Sequence, residues 1–274
     1  MLSNPNNPKS QPMVEDLQLK VENHKAFDYK MLPSSFFASI ISARRGGKSF
    51  LVNNLVQQFQ RDRKLRFSQI FLISGTGFGF KGIPPAYKFD TLDALDYITR
   101  TQQRIVDYNR SVKDADKRIK SRILIILDDM AFNNTLKDDR IERLALNGRH
   151  YETMDKKEGN GISVFLISQA LKRISRTVRL NQDVFFVNNI SSLVERNDIL
   201  DESFYIDTTR EGKKKGQKTF EMLSTSKDFR FIAIMMFIQN KRRLEDYIMY
   251  ADAKALKDFK FFGNAKDWIE SEDF

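Results

Sequence analysis

Residues 35–49 read Ser-Phe-Phe-Ala-Ser-Ile-Ile-Ser-Ala-Arg-Arg-Gly-Gly-Lys-Ser, an apolar run that ends in two glycines, a lysine and a serine. The order is typical of a buried strand, a tight turn and the start of a helix, because Gly46 and Gly47 let consecutive backbone N–H groups converge on a phosphate. Apolar residues at helical spacing follow within 50–59. The segment therefore predicts a phosphate-binding loop, with these candidate nucleotide-binding residues: Arg45, Gly46, Gly47, Lys48 and Ser49.

Two side chains of this loop carry specific chemical roles. Lys48 would reach the β- and γ-phosphates of a nucleotide, and the Ser49 hydroxyl would hold Mg²⁺. The match to the pattern G-x-x-x-x-G-K-[ST] is incomplete, because Ser42 occupies the first glycine position. An ordinary glycine turn beside a surface lysine is the alternative interpretation, and a second motif argues against it.

That second motif is residues 123–129, Ile-Leu-Ile-Ile-Leu-Asp-Asp. Five consecutive aliphatic residues predict a strand buried on both faces of a parallel sheet, and ligands bind at the carboxyl ends of such strands. We expect Asp128 to hold Mg²⁺, directly or through water, and Asp129 to act as the base or to orient the attacking water. A strand that ends in a helix-capping aspartate pair is the alternative, but it does not account for a phosphate loop about 80 residues upstream.

A third apolar run, residues 162–167, leads into Ser168 and Gln169. In a subclass of phosphate-loop ATPases an extra strand lies between the two motif-bearing strands and delivers a polar side chain to the γ-phosphate, which makes Gln169 a catalytic candidate. An exposed strand-terminal glutamine with no function is the alternative. Upstream, we expect Gly148 to end a helix and to leave Arg149 on a loop that can reach beyond its own subunit.

The net charge and the cysteine content of the chain limit which ligands and partners it can bind. The chain has 274 residues, a formal net charge of +10 and no cysteine, which excludes disulfides and thiolate zinc sites. Such an excess of positive charge favours a polyanionic partner, with nucleic acid the leading candidate, whereas a basic surface that binds nothing is the alternative.

The most basic stretch, residues 210–218, lies between two segments that we interpret as strands, 203–208 and 218–223. We therefore expect a hairpin with a basic tip. Its lysines either contact DNA or form a solvated tip. The DNA-binding candidates are Lys213, Lys214 and Lys215.

The whole pattern predicts an α/β fold: a P-loop NTPase core with a mostly parallel central sheet flanked by helices, an extra β-hairpin and a C-terminal helix over 241–257. Residues 1–15 are expected to be a disordered tail, and 16–274 a single domain. The longest apolar run, 231–238, is far too short to span a bilayer, and the first residues lack the apolar core of a signal peptide. Further strands are predicted at 69–74, 184–188 and 231–238, and a mostly helical stretch at 93–122.

Taken together, the motifs between residues 36 and 189 resemble the FtsK/HerA superfamily of DNA-pumping ATPases, and within it the genome-packaging ATPases of giant DNA viruses, poxviruses and virophages. The resemblance depends on the order of five pieces. These are Gly46-Gly47-Lys48-Ser49, Leu127-Asp128-Asp129, Gly148-Arg149-His150, Ile167-Ser168-Gln169 and residues 178–186. This sequence departs from the family at Ser42 and in an extension over 151–161.

This resemblance implies a ring-forming homo-oligomer that uses ATP and Mg²⁺ to move double-stranded DNA into a preformed viral capsid or its portal vertex. It implies a place in the host cytoplasm at the viral factory, and in the virion, rather than secretion. Arg149 matches a family arginine that enters the neighbouring subunit's active site as a finger, and Arg179 matches a second family arginine.

Three other functions are alternatives to a DNA motor. A GTPase would need Asn-Lys-x-Asp, and residues 240–243, Asn-Lys-Arg-Arg, lack the aspartate. A small-molecule kinase would use the same loop but would leave the +10 charge without a role. A non-motor nucleic-acid-binding protein with a degenerate nucleotide site would bind ATP without turning it over.

Overall fold

The fold is described from a computed structural model. The description covers residues 23–76, 80–119, 121–128, 130, 135–151, 161–204, 208–239 and 241–256. Three expectations lie outside these residues: the disordered tail at 1–15, the carboxylate of Asp129 and most of the extension over 151–161.

The strands form a sheet in the order β3-β2-β4-β5-β1-β6-β7-β8. The first six in this order are parallel, β7 runs antiparallel to β6, and β8 runs antiparallel to β7. The mostly parallel sheet is therefore confirmed. The strands are β1 (Phe37–Ser42), β2 (Gln69–Ser74), β3 (Lys88–Phe89), β4 (Arg122–Asp128), β5 (Gly161–Ser168), β6 (Val184–Asn188), β7 (Arg230–Met235) and β8 (Ile248–Asp252).

The α-helices that flank this sheet are α1 (Lys48–Arg61), α2 (Ala94–Ser111), α3 (Asp139–Asn147), α4 (Arg176–Asn181), α5 (Leu193–Ile199), α6 (Arg210–Thr225) and α7 (Leu244–Tyr247). Helix α1 buries one stripe of residues at helical spacing, Leu51, Val52, Leu55, Val56 and Phe59. This stripe holds the helix against the sheet and so fixes the loop that precedes it. In the described part of the chain, no helix is both long and apolar enough to cross a membrane.

The sheet brings the ends of the predicted motif strands to one edge. Every residue of β1, β4, β5 and β6 is buried, as expected for strands covered on both faces. Ser42 pairs in register with Asn188, Ile41 with Ser168, and Asp128 with Ile167. The carboxyl ends of these four strands therefore lie side by side.

The predicted hairpin at 203–223 is wrong. Ser203 lies in the π-helical turn Leu200–Phe204, and 218–223 lies within α6. Helix α6 begins where the Thr209 hydroxyl accepts a hydrogen bond from the Gly212 N–H at 3.1 Å, which is an N-cap. Its buried residues include Gly216, Phe220 and Leu223, which lie at helical spacing. The basic run thus lies on a helix surface, not at a hairpin tip.

The predicted C-terminal helix over 241–257 is also wrong. The segment forms only the four-residue α7 before it enters β8. Strand β8 pairs with β7, for example Tyr250 with Ile232. Without this pairing β7 would be a sheet edge with unpaired backbone groups, so pairing with β7 outweighs a helical pattern of apolar residues.

Candidate nucleotide-binding site

The loop between β1 and α1 has the backbone of an anion cradle. Arg45 and Gly47 both adopt left-handed conformations, with φ of 64° and 84°. Alternation of right- and left-handed residues turns successive N–H groups toward one point, and here that point lies at the N-terminus of the 14-residue α1. The left-handed Arg45 costs about 1–2 kcal/mol, which only the surrounding structure can offset.

Lys48 lies folded over this loop. Its Nζ donates hydrogen bonds to the backbone carbonyls of Ser42, at 2.8 Å, and Ala43, at 2.9 Å. These contacts keep the ammonium group at the concave side of the loop, where a phosphate oxygen could replace a carbonyl as its acceptor. The predicted nucleotide-binding residues Arg45, Gly46, Gly47, Lys48 and Ser49 lie in this loop and in the first turn of α1.

Strand β6 supports the loop through residues that the sequence did not reveal. The Asn188 side-chain amide, which is buried, donates to the Gly46 carbonyl at 3.2 Å, and the Asn189 carbonyl accepts from the Ala43 N–H at 3.3 Å. Asn189 is itself left-handed, with a φ of 49°. Asparagine tolerates this conformation well, but two asparagines after an apolar run read only as a strand end.

The acidic strand ends at the same edge. Asp128 is the last residue of β4 and is 7% exposed, beside Ser74 of β2 and Ile167 of β5. A hydroxyl and a carboxylate, Ser49 and Asp128, are hard oxygen donors that suit Mg²⁺. The described residues contain no group of three or more acidic or imidazole side chains that could hold a metal.

Gln169 follows the strand that separates β1 from β4. The extra strand between the two motif-bearing strands is thus present. The buried Ser168 hydroxyl donates to the Ala170 carbonyl at 2.9 Å and accepts from the Ala170 N–H at 3.2 Å, which fixes the turn. The Gln169 side chain is exposed at this turn, at the carboxyl edge of the sheet.

Arg149 lies at the opposite edge. It is exposed in the 3₁₀ turn Gly148–Tyr151, next to the start of β5, where a Cβ on Gly148 would lie 3.3 Å from the Ile162 carbonyl oxygen. Gly148 follows α3 as expected, but it is right-handed, with a φ of −52°, and the chain continues as a 3₁₀ turn instead of a loop. Glycine allows the close approach to β5 here and does not form a left-handed cap. Because β1 spans six residues, Arg149 lies about 20 Å from its own phosphate loop.

The electrostatic neighbour of Arg149 is Asp183. Desolvation raises the pKa of the Asp183 carboxyl, while a hydrogen bond from the Phe37 N–H, at 2.8 Å, and the Arg149 charge act in the opposite direction. Phe37 is the first residue of β1, so both charges lie at the amino ends of the strands.

Arg179 is engaged within its own chain. Its guanidinium makes a bidentate ion pair with Glu202, at 2.8 and 2.9 Å, and donates to the Ile174 carbonyl at 2.7 Å. The Arg179 side chain is only 16% exposed. The structure thus separates the two candidate arginines: Arg149 is exposed, whereas Arg179 joins α4 to the π-helical turn.

The candidate DNA-binding lysines lie along α6. Lys213, Lys214 and Lys215 are exposed, and Lys213 also pairs with Asp201 at 3.5 Å. Lys214 and Lys218 are one helical turn apart and are both exposed. The basic surface is therefore carried by a regular helix.

Comparison of the structure with solved structures identifies the fold. The genome-packaging NTPase B204 of Sulfolobus turreted icosahedral virus 2, in complex with sulfate, matches with a TM-score of 0.50 over 82% of this chain and 99% of that chain, at 13% identity. The chain has the fold of B204. The same protein in complex with AMPPCP gives a TM-score of 0.49 at 13% identity, covering 75% of this chain and 94% of that one. The pCW3 conjugation coupling protein TcpA with ATPγS gives 0.49 at 12% identity, covering 92% and 73%.

The likeness to B204 confirms the predicted α/β fold with a mostly parallel central sheet. No protein-family model matches the sequence, and no curated protein sequence matches it either.

Proposed function

We propose that the protein is an ATP-driven motor that moves double-stranded DNA as a ring-shaped oligomer and packages a viral genome into a preformed capsid. The observation that carries this proposal is the position of β5. It lies between the phosphate-loop strand and the acidic strand, so that the turn bearing Gln169 is flanked by Ser42 of β1 and Asp128 of β4.

Each candidate site residue has its own role in ATP hydrolysis. The loop N–H groups and Lys48 bind and orient the phosphates, and Ser49 and Asp128 would hold Mg²⁺, which neutralises phosphate charge when bound. Asp129 takes the proton of the attacking water or orients that water, and Gln169 senses the γ-phosphate. Catalysis of phosphoryl transfer is mostly positioning and charge stabilisation, so these groups suffice when an arginine completes the site.

The location of Arg149 supports a ring. An arginine about 20 Å from its own phosphate loop can act only on another subunit's nucleotide, and a ring places such an edge against a neighbouring subunit. Hydrolysis would then require assembly of the ring. Successive subunits could therefore hydrolyse ATP in order around the DNA.

The charge and the fold support DNA as the substrate. The formal net charge of +10 and the exposed lysines of α6 favour a polyanion, and B204, which has the same fold, is described as a genome-packaging NTPase. A P-loop kinase would have the same phosphate loop, but its reaction would not require a net charge of +10. A non-motor nucleic-acid-binding protein would share the charge but not the need for turnover.

The deciding experiment measures ATP turnover with and without blunt duplex DNA of mixed sequence, with Lys48→Ala as the inactive control. We expect DNA to stimulate turnover, and electron micrographs with DNA and a non-hydrolysable ATP analogue to contain rings. Turnover stimulated by a small phosphate acceptor, with no effect of DNA, would favour the kinase. ATP binding without turnover under any condition would favour the non-motor protein.

A further inference from the structure

Two exposed phenylalanines meet beside the phosphate loop. Phe50 and Phe229 are 43% and 42% exposed, and their ring centroids lie 6.3 Å apart at an interplanar angle of 78°. We call this pair the aromatic corner. Two large apolar side chains that lie edge-to-face and remain this exposed leave ring surface open to a ligand.

The aromatic corner adjoins the site where a triphosphate would lie. Phe50 directly follows Lys48 and Ser49 in the first turn of α1. Phe229 immediately precedes β7. Because β7 runs antiparallel to β6, the first residue of β7 lies at the edge where the parallel strands end. A Cβ on Gly47 would lie 2.8 Å from Phe229 Cδ1, so the ring packs directly on the loop.

Phe229 is held in an unfavourable backbone conformation at this place. Its φ is 56°, in the left-handed region that bulky residues rarely adopt. Its carbonyl accepts from the Ala253 N–H at 3.0 Å, and the next residue, Arg230, pairs with Asp252 at 2.7 Å. Strain that the surrounding structure maintains at one exposed side chain is a reason to look for a function there.

Hydrogen bonds also link the segment that contacts Phe229 to α1. The Asn54 side chain donates to the Lys254 carbonyl at 2.6 Å and accepts from the Lys254 N–H at 3.2 Å. Asn54 lies one turn after Phe50, so the segment that carries Ala253 and Lys254 fixes the position of Phe229 relative to the helix. The aromatic corner is therefore built from segments about 180 residues apart in sequence but is rigidly placed.

We propose that the aromatic corner stacks the base of the bound nucleotide, an inference that rests on the proposed binding of nucleoside triphosphate by the loop. A triphosphate seated on the loop leaves its α-phosphate beside the first turn of α1, and the attached nucleoside must continue from there. The exposed rings at this turn offer the base a partner for stacking.

Stacking alone has a consequence for specificity. Every base has a π-face, whereas discrimination between bases requires hydrogen bonds to their edges. We therefore expect the protein to bind ATP and GTP with affinities within about tenfold of each other, because the corner presents rings and not hydrogen-bonding groups.

Titration calorimetry with ATP, GTP and inorganic tripolyphosphate separates the base from the phosphates. We expect wild-type protein to bind both nucleotides about 10 to 100 times more tightly than tripolyphosphate, and Phe229→Ala and Phe50→Ala to lose most of this advantage while they retain tripolyphosphate affinity. Phe50→Ala is the safer variant for folding, since it places alanine at an exposed helix position. Phe237→Ala is the control, because Phe237 is 38% exposed beyond the other end of β7.

Three results would overturn the inference. Nucleotide affinity that both alanine variants retain would exclude stacking by these rings. An equal loss of tripolyphosphate affinity would mean that the aromatic corner shapes the loop instead of binding the base. If wild-type protein binds neither tripolyphosphate nor nucleotide, the proposed function itself fails, and this inference fails with it.

Discussion

The hydroxyl of Ser42 occupies the space that a side chain at position 46 would need. A Cβ built on Gly46 would lie 1.8 Å from Ser42 Oγ, and the hydroxyl donates to the Gly46 carbonyl at 3.4 Å. Ser42 stands where phosphate loops usually have their first glycine. The departure is therefore accommodated by a glycine four residues later, and the two positions are coupled.

This coupling predicts that Gly46→Ala weakens ATP binding by about tenfold or more, since the loop must deform to relieve the clash. Ser42→Gly alone should bind ATP nearly as well as wild type. The double variant should recover part of the affinity, because the Ala43 carbonyl would still lie 3.0 Å from the new Cβ. Calorimetric ATP titrations check this, with thermal unfolding as the control for folding. Additive losses in the double variant would contradict the coupling.

Lys48→Ala and Asp129→Asn should stop the reaction at different steps. Loss of the Lys48 ammonium removes charge from the phosphates and should weaken ATP binding, whereas the amide at position 129 keeps the shape and loses the base, so ATP should bind but not hydrolyse. Parallel binding and turnover assays distinguish the two. Near-normal turnover in Asp129→Asn would mean that another residue is the base, with Asp128 the first candidate.

Arg149→Ala should reduce turnover by about 10³-fold or more while ATP affinity remains, because a finger acts on the transition state of a neighbour's nucleotide. Mixtures of Arg149→Ala with Lys48→Ala should regain activity, since some interfaces then combine an intact loop with an intact arginine.

Arg179→Ala should instead lower the unfolding free energy by about 1 kcal/mol through loss of its ion pair, and Glu202→Gln should reproduce this effect. Mixtures that recover with Arg179→Ala but not with Arg149→Ala would exchange the two roles.

The lysines of α6 should contribute to a sequence-independent, salt-sensitive grip on DNA. Replacement of Lys213, Lys214 and Lys215 by glutamine should reduce the slope of log affinity against log salt by up to about 3, one unit per lost phosphate contact. The matched control replaces Lys64, Lys88 and Lys113, which are exposed and lie outside α6. Equal slopes in both triple variants would mean that only overall charge matters and would place the DNA contacts elsewhere.

Asp183 should make stability fall as pH rises through its titration. Burial raises the pKa of this carboxyl in the folded state, so the folded protein binds more protons than the unfolded chain above the ordinary carboxyl range. Asp183→Asn retains an oxygen to accept from the Phe37 N–H and removes the buried charge. We expect the variant to gain in melting temperature relative to wild type at pH 7 and to lose that gain toward pH 4. Parallel melting curves across this range would exclude the carboxyl as the cause.

Two sequence-based predictions, the hairpin at 203–223 and the helix over 241–257, were wrong for the same physical reason. Helix α6 contains Gly212 and Gly216, which disfavour a helix, and it exists because Gly216, Phe220 and Leu223 are buried in the tertiary structure. The apolar residues of 244–251 fit one face of a helix. Residues from 248 onward nevertheless form β8, because their backbone groups pair with those of β7. In both cases packing between distant segments outweighed the local pattern.

The arginines could be located only in three dimensions. Sequence places Arg149 and Arg179 in motifs, but it cannot say that one is exposed at the amino edge of the sheet and the other bound to Glu202. Asn188, Asn189 and Phe229 carried no recognisable signal either, because their roles depend on a loop that lies about 140 or more residues away in the chain and directly beside them in space.

What the sequence alone determined were features written in consecutive residues. Continuous apolar runs predicted β1, β2, β4, β5 and β6, since a strand buried on both faces must be apolar throughout, and the Gly-Gly-Lys-Ser turn predicted the phosphate loop. Tertiary structure decided which strands became neighbours and which side chains hold the loop. Backbone pairing and side-chain packing join residues that are far apart in the chain, and no local pattern encodes their meeting.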